Sequence, residues 1–523
     1  MGRTPLRLGG VAIAAVVAAP GPALGANGFI DGVTAGEITD RSAVIWAQTK
    51  RPATVTAEAN GKGVPGTFTA RRPADDTVRL RLRRLKPGTR YAYRFCLAKR
   101  AKACSDTGRF ITAPTASQPM KIRFAYSGDE TAVAKPGQRR PFWGEMTAFK
   151  SMAAEHNDFN IDFGDTIYSD PEVPNVPTAR TVKQKWRMYR RKLAVKNMRT
   201  IREATGLYNH WDDHEFINDF SIPEFGRTLY DRSVKAFRDY EPVTYSRRTG
   251  IYRSFRWGKN LQVFFLDERS FRSAKASANG VCNNPQTGQP DVAPTAPQSV
   301  RNAFVQLVPS LAQPVSPACL GAINSPQRTM LGQRQLQTFL HAVSSSTATW
   351  KVVMNEVPIQ QFYALPYDRW EGYAFERVEL LNALAAARVD HLVFLTTDTH
   401  ASFVNVIRAR TFAGDSAPAN APATPTDTPY SEYITGPVAT KPFTQEIDDT
   451  VHNPFAGSLI EQLFLKPPPP SGLGMACAQG DANSYAEVTV TGAKLKVDYR
   501  NEDGGPLLDA NARSRCGPYV LTH

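Results

Sequence analysis

The chain has 523 residues, 42% hydrophobic and 21% charged, proportions that support a sizeable folded core and exclude wholesale disorder. Lys and Arg outnumber Asp and Glu by 63 to 48, a formal +15 that favours an anionic partner, yet no basic block long enough for a nucleic-acid tail occurs. At roughly 100–200 residues per domain, the length fits two to four domains.

Residues 1–26 read as a secretory signal. Arg3 and Arg7 precede a short apolar run, Gly9–Ala19, and Ala23-Leu24-Gly25 supplies the cleavage pattern. The run is too short to cross a ~30 Å hydrocarbon core, and Pro20 and Pro22 break it. No Arg-Arg pair marks a twin-arginine address, and no later segment is apolar enough for a transmembrane span. Export by a Sec-type route, to the cell envelope or beyond, is the expectation. Six cysteines fit that compartment, and local order suggests the disulfides Cys96–Cys104, Cys282–Cys319 and Cys477–Cys516.

Residues 27–114 look all-β. Ser42–Ala47, Ala53–Ala59, Gly66–Arg72, Thr77–Leu85, Arg90–Leu97 and Thr107–Thr112 are short runs parted by turn residues. Val78, Leu80 and Leu82 alternate with Arg79, Arg81 and Arg83, the period of a half-buried strand. The expectation is a fibronectin/immunoglobulin-like sandwich, whose purpose the sequence leaves open.

After a polar linker, residues 120–523 alternate strands with helical patterns, which argues an α/β sheet domain. Helices are expected over Phe142–His156, Val182–Ala204, Leu331–Val343 and Arg377–Ala387. Ser273–Ser325 is a surface insertion stapled by its two cysteines, Ala413–Tyr430 and Lys466–Gly472 are loops, and Tyr485–Val490 with Lys494–Tyr499 forms a final hairpin.

Six segments share one plan, a hydrophobic strand ending in acidic or histidine residues: Ile122–Asp129, Phe159–Tyr168, Leu207–Glu215, Leu261–Arg269, Lys351–Pro358 and His391–His400. In α/β sheets, strand ends deliver loops into a shared crevice. So many converging carboxylates repel one another at a cost of several kcal/mol each, which bound cations offset. The economical reading is a metal centre with oxygen and nitrogen ligands. Asp165, preceded by Gly164, suits a bridging position, and Asp398-x-His400 can place two ligands on the same side of an extended segment. Gly128-Asp129 taken alone is an ordinary turn, and Asn355 and Glu356 taken alone would cap a strand.

These motifs resemble the PhoD-like alkaline phosphatases/phosphodiesterases within the calcineurin-like metallophosphoesterases. Phe29–Trp46 is similar to the opening of that family's N-terminal sandwich, and Gly164-Asp165-Thr166-Ile167-Tyr168 to its Gly-Asp-x-x-Tyr motif. Trp211-Asp212-Asp213-His214-Glu215 carries its most specific signature, and Leu266–Arg272, Asp368–Tyr373 and Thr397–Ser402 resemble later motifs. The resemblance implies a metallophosphoesterase-type layered β-sheet core flanked by helices, with the all-β sandwich ahead of it. It implies two or more metal ions, calcium and iron by family habit. Asp129, Asp165, Tyr168, Asp213, Asp398 and His400 would be their ligands, Asp165 as the bridge. His214 would serve the phosphoryl oxygen or leaving group, and Arg269 the phosphate oxygens. Two positions depart from the family pattern: Asp129 stands where many members carry a cysteine, and Thr397 where a glycine is usual. The first puts the iron–calcium composition in question.

The implied activity is hydrolysis of a phosphate ester by a metal-activated water. A phosphate-ester substrate is the partner implied, with cell-wall, lipid and nucleic-acid phosphodiesters as candidates and no obligate protein partner. The rival reading is an envelope-binding protein with a degenerate, inactive phosphatase domain, for which the two departures speak.

Overall fold

In the computed structural model, residues 28–523 are described, apart from residue 512. The expected leader lies outside the described residues. The first eight strands are β1 (Phe29–Gly36), β2 (Ser42–Thr49), β3 (Ala53–Ala59), β4 (Lys62–Ala70), β5 (Thr77–Arg83), β6 (Arg90–Leu97), β7 (Arg100–Cys104) and β8 (Gly108–Ile111). They form two antiparallel sheets, β1-β2-β5 and β4-β3-β6-β7 with β8 on β6, closing on Val33, Ile45, Val55, Phe95 and Phe110. Cys96 and Cys104 are paired across β6 and β7, and their disulfide staples that hairpin.

What this sandwich packs against was open in the sequence; in the structure it is the following domain. Trp46 donates its indole N–H to the Asp239 carbonyl at 2.8 Å and lies under the Arg202 guanidinium at 5.0 Å. Glu37 pairs with Arg253 at 2.8 Å, both nearly buried. Tyr208 Oη donates to the Ile38 carbonyl at 2.6 Å.

The remaining strands are β9 (Ile122–Ser127), β10 (Phe159–Phe163), β11 (Gly206–His210), β12 (Arg253–Trp257), β13 (Leu261–Phe265), β14 (Trp350–Asn355), β15 (Leu392–Thr396), β16 (Ser402–Arg410), β17 (Thr426–Ile434), β18 (Cys477–Gln479), β19 (Ser484–Val490), β20 (Lys494–Asn501) and β21 (Tyr519–Thr522). They build two sheets rather than one, ordered β11-β10-β9-β19-β20-β21 and β12-β13-β14-β15-β17-β16-β18. Alternation of period two decides which side chain faces which layer. Phe124, Ile161 and Val488 of the first sheet meet Val263, Val352 and Leu395 of the second in a shared core. Residues of the opposite parity point outward: Ala125 and Leu207 under helices Thr147–Ala154, Val182–Ala194 and Arg227–Tyr240, and Val353 and Phe394 under Gln333–Ser344 and Ala374–Ala386. The result is a four-layer helix–sheet–sheet–helix body. Covered on both faces, β10, β11 and β15 are buried along their whole length, though only β15 reads as a nearly continuous apolar run and β10 and β11 carry the buried polar residues Asn160, Asp162, Asn209 and His210.

Two expectations are corrected. The single helix over Val182–Ala204 is two, Val182–Ala194 and Lys196–Ala204, parted by Val195 in extended conformation. The helix expected from Phe142 begins at Thr147, because Met146 sits in the left-handed region. The expected final hairpin forms as β19 and β20, and β19 also pairs with β9, joining it to the first sheet. The disulfides Cys282–Cys319 and Cys477–Cys516 join the pairs that local order suggested.

Candidate metal centre

Six strand tips meet at one end of the body, three from each sheet. β9, β10 and β11 are parallel neighbours in the first sheet, and β13, β14 and β15 in the second. The polar segment after each strand is therefore delivered to the same crevice, between the two sheets of the layered core.

Two glycines let the tips close. A Cβ on Gly128 would come within 2.2 Å of the Phe163 carbonyl oxygen. Gly164, at φ +81°, would push a Cβ to 2.9 Å from that of Asp212. With both absent, Asp129 N–H reaches the Gly164 carbonyl at 3.2 Å. Asp129, Asp165, Asp398 and His400 all hold positive φ, between 50° and 63°. Left-handed backbone in non-glycine residues costs free energy and collects at functional sites. This corrects the extended reading of Asp398-x-His400: two left-handed residues turn the side chains toward different neighbours.

Those neighbours form linked groups. Ligand atoms of Asp129, Asp165 and His400 lie within 4.8 Å of one another, as do those of Asp165, Asp213 and His214, and those of Asp212, Asp213 and Asp398. Asp165 belongs to the first two groups, and Asp213 links the second and third. A further group, Asp213, Asp219 and Asp368, sits beside them. Tyr168 Oη lies 2.7 Å from His400 Nε2, facing the first group.

The donors fit a set of cations. Asp129 Oδ2 and Asp212 Oδ2 are buried without a hydrogen-bond partner. The set offers carboxylate, phenol and imidazole and no thiolate, a donor chemistry for hard or borderline ions. Burial pushes the Asp129 carboxyl up to about 7, and raises Asp165 and Asp398 well above the carboxylate range, Asp165 with Asp213 and Asp212 adding to the rise and Asp398 with Asp212 doing so.

Around the ligands lies a frame of fixed charge. Arg269 is fully buried. Its Nε bonds Asp212 and its Nη1 reaches Asp368 at 2.7 Å. Its Nη2, without a hydrogen-bond partner, lies 4.0 Å from Asp213 and 3.7 Å from Asp398. Arg269 therefore neutralises a carboxylate wall and keeps one N–H pair unspent toward the site. His214 donates or accepts at Nδ1 with Asp170 Oδ1 at 2.8 Å, and its ring stacks on Tyr168 at 4.0 Å. Burial is the largest single effect and lowers its pKa, but Asp170, Asp165 and Asp213 together outweigh it and hold the pKa well above 6.5. Glu215 accepts from Thr166 N–H at 2.6 Å and Asp212 N–H at 2.8 Å, tying the β10 and β11 tips together. Thr397, the unusual residue, donates its hydroxyl to the Phe163 carbonyl at 2.8 Å and so joins the two sheets at the site.

Sequence reasoning assigned no role to Asp170, Asp212, Asp219, Asp368 and Glu446, which the structure brings to the candidate site. Glu446 pairs with His400 Nδ1 at 2.9 Å, orienting the ring. Asp368 lies in a motif that was noticed without a role for its first residue. Glu446 has no local signal at all. The insertion also contributes: Lys275 reaches Asp219 at 2.5 Å.

A stability prediction follows from the raised carboxyls. In chelator-treated protein, groups such as Asp129 stay protonated when folded yet ionise near 3.9 when unfolded. Their contribution is complete below about pH 4 and is lost as pH rises through about 7. The raised His400, at about 10, works in the same direction above pH 6.5. Cations need the ionised ligands, so their stabilising effect grows with pH. Differential scanning fluorimetry should show a larger rise in Tm on adding metal at pH 8 than at pH 5. An equal rise at both would contradict this account.

The body and its site define a layered-sheet fold of the metallophosphoesterase kind. Purple acid phosphatase PPD1 from yellow lupin shares it at a TM-score of 0.54 and 11% identity, over 93% of this chain and 74% of that one. A structure of PhoD is more similar, with TM-score 0.67 and 20% identity over 96% and 90% of the two chains. The patterns of "PhoD-like phosphatase" match residues 132–466, and those of "PhoD-like phosphatase, N-terminal domain" match residues 15–114. The chain belongs to the PhoD-like phosphatase family. Alkaline phosphatase D of Bacillus subtilis (strain 168) is 24% identical over 437 residues, which are 72% of this chain and 65% of that relative.

Proposed function

We propose that this protein is a metal-dependent phosphoric ester hydrolase, a phosphomonoesterase or phosphodiesterase of the PhoD-like kind. The observation that carries the reading is the place of Asp165, whose carboxylate is shared by two ligand groups drawn from both sheets. Asp129, Tyr168 and His400 would hold one cation with Asp165, and Asp213 and Asp398 would hold the other. Cations there supply charge neutralisation, polarisation of the ester and a water ionised near neutrality. The chain's own residues do the rest. Arg269 Nη2, without a hydrogen-bond partner, is available for a phosphate oxygen. His214, held at Nδ1 by Asp170, presents its other ring nitrogen to the departing oxygen. Trp211, buried among Phe216, Tyr230 and Phe237, fixes the segment that carries Asp212–Glu215.

The departures from the family pattern do not favour the inactive reading. Thr397 and Asp129 both take part in building the site, the latter accepting Asp398 N–H at 3.2 Å. With a carboxylate at position 129, we favour an all-hard set of ions such as calcium, and iron remains the family's alternative. Three disulfides fit an oxidising compartment, and among the described residues no helix is long and apolar enough to cross a membrane. Both accord with a secreted or envelope location.

The test pairs elemental analysis of natively purified protein with p-nitrophenyl phosphate and bis(p-nitrophenyl) phosphate. Hydrolysis of at least one should disappear on chelation and return with calcium, iron or another single added ion. Full activity in protein freed of metal would overturn the reading.

A further inference from the structure

One cleft gathers five cations, four of them without an ion-pair partner among the described residues. Lys135, Arg139, Arg140, Arg191 and Lys196 line a cavity of about 710 Å³ beside the site, with Glu145 as the one acid in its wall. Glu145 pairs with Arg140 at 3.3 Å across an exposed contact. Among the described residues, no carboxylate lies within ion-pair distance of the other four, while Lys135 rests over the Phe142 ring at 4.3 Å. Such a wall attracts anions and repels cations.

Three sides of the cleft are tied to the metal centre by the chain or by an ion pair. Ala132, in its first wall, follows Asp129 by three residues, so the chain holds them within about 11 Å. Asn175–Pro177, in the second, continues the loop that carries Tyr168 and Asp170. The third is the junction of helices Val182–Ala194 and Lys196–Ala204, where the break at Val195 turns Arg191 and Lys196 to the same cavity. Lys192, next to Arg191, is buried and bonds Glu130 at 2.7 Å, which ties that junction to the residue after Asp129. Among the described residues, no aromatic side chain lines the cleft. A site for single-stranded nucleic acid ordinarily offers rings on which bases stack.

We infer that this cleft is a distal anion subsite, holding a phosphate of a linear phosphodiester chain some units away from the one at the metals, by charge and without reading a base. The inference rests on the hydrolase reading and narrows its substrate to a chain with several phosphates. Each phosphate neutralised adds about −0.7 to the slope of log affinity against log salt for a single strand.

The experiment compares the full-length protein with its Arg139→Ala/Arg191→Ala/Lys196→Ala variant. The probes are bis(p-nitrophenyl) phosphate, an oligothymidylate and an abasic deoxyribose-phosphate oligomer of equal length, the two oligomers also fluorescently labelled for anisotropy. The variant should cut bis(p-nitrophenyl) phosphate within twofold of the parent. Its affinity for both oligomers should fall about tenfold or more at low salt, with a salt slope shallower by about 2. Oligomer hydrolysis should fall in parallel. Equal losses on all probes, no loss on the oligomers, or no oligomer binding by the parent would overturn the subsite, as would strong preference for the oligomer bearing bases. If the parent cuts nothing but binds oligomers that the variant releases, the hydrolase reading fails and the anion cleft stands.

Discussion

Asp165→Asn should strip at least one cation from each chain and lower kcat/KM by about a thousandfold or more, some 4 kcal/mol of lost transition-state stabilisation. The substitution changes charge and little else. Asp165 is almost fully buried, and its Oδ1 accepts the His214 N–H at 3.0 Å, a bond that an amide oxygen can keep. What disappears is the one carboxylate shared between the Asp129–His400 and Asp213–His214 groups. Without cations the same carboxylate is a liability, buried among Asp213, Asp212 and Glu215, which raise its pKa on top of burial. The variant should therefore melt at or above the parent in chelator and below it with metal. That change of sign separates a lost ligand from a damaged fold, since a misfolded protein would be weaker in both. Elemental analysis with paired thermal melts checks it. Retention of the full metal complement with activity within tenfold of the parent would remove Asp165 from the bridging place.

How much of this was legible beforehand can be judged residue by residue. Strand periodicity is local, so Phe159–Phe163 and Leu392–Thr396 could be read as strands and their acidic ends as candidates. Which strands become neighbours is a matter of tertiary pairing. Local pattern does not assign β9–β11 and β13–β15 to separate sheets of the layered core, nor does it place β19, far along the chain, beside β9. Asp398 and His400 were recognised, but their left-handed backbone was not, since neither is a residue whose identity demands it. The break at Val195 was hidden because the amphipathic pattern runs on through both helices, with no glycine or proline to end the first. Arg269 was marked as a phosphate ligand from its motif. Its burden of buried carboxylates became visible only when Asp212, Glu356 and Asp368 arrived from other segments. Charge balance inside a protein is a sum over distant residues, and local pattern does not contain it.

His214→Ala should leave metal content intact and reduce turnover about a hundredfold to ten-thousandfold for an alkyl ester. The ring is not needed to build the site: it is the backbone N–H at 214 that bonds Asp165, and alanine retains it. The imidazole itself is set for donation. Asp170 takes Nδ1 at 2.8 Å, Asn218 N–H holds the other Asp170 oxygen at 2.8 Å, and Tyr168 stacks on the ring face. Position and tautomer are thereby fixed, leaving Nε2 for a leaving oxygen. A p-nitrophenolate departs without a proton, whereas an alkoxide does not. The loss should accordingly be severe for esters of simple alcohols and small for p-nitrophenyl esters, so the sensitivity of rate to leaving-group pKa should steepen in the variant. Asp170→Asn, which keeps the ring but weakens its orientation, should fall between the two. A ring that merely filled space would slow every ester alike. Parallel losses across the leaving-group series, or unchanged turnover in metal-loaded His214→Ala, would therefore take His214 out of proton donation and leave it as packing against Tyr168.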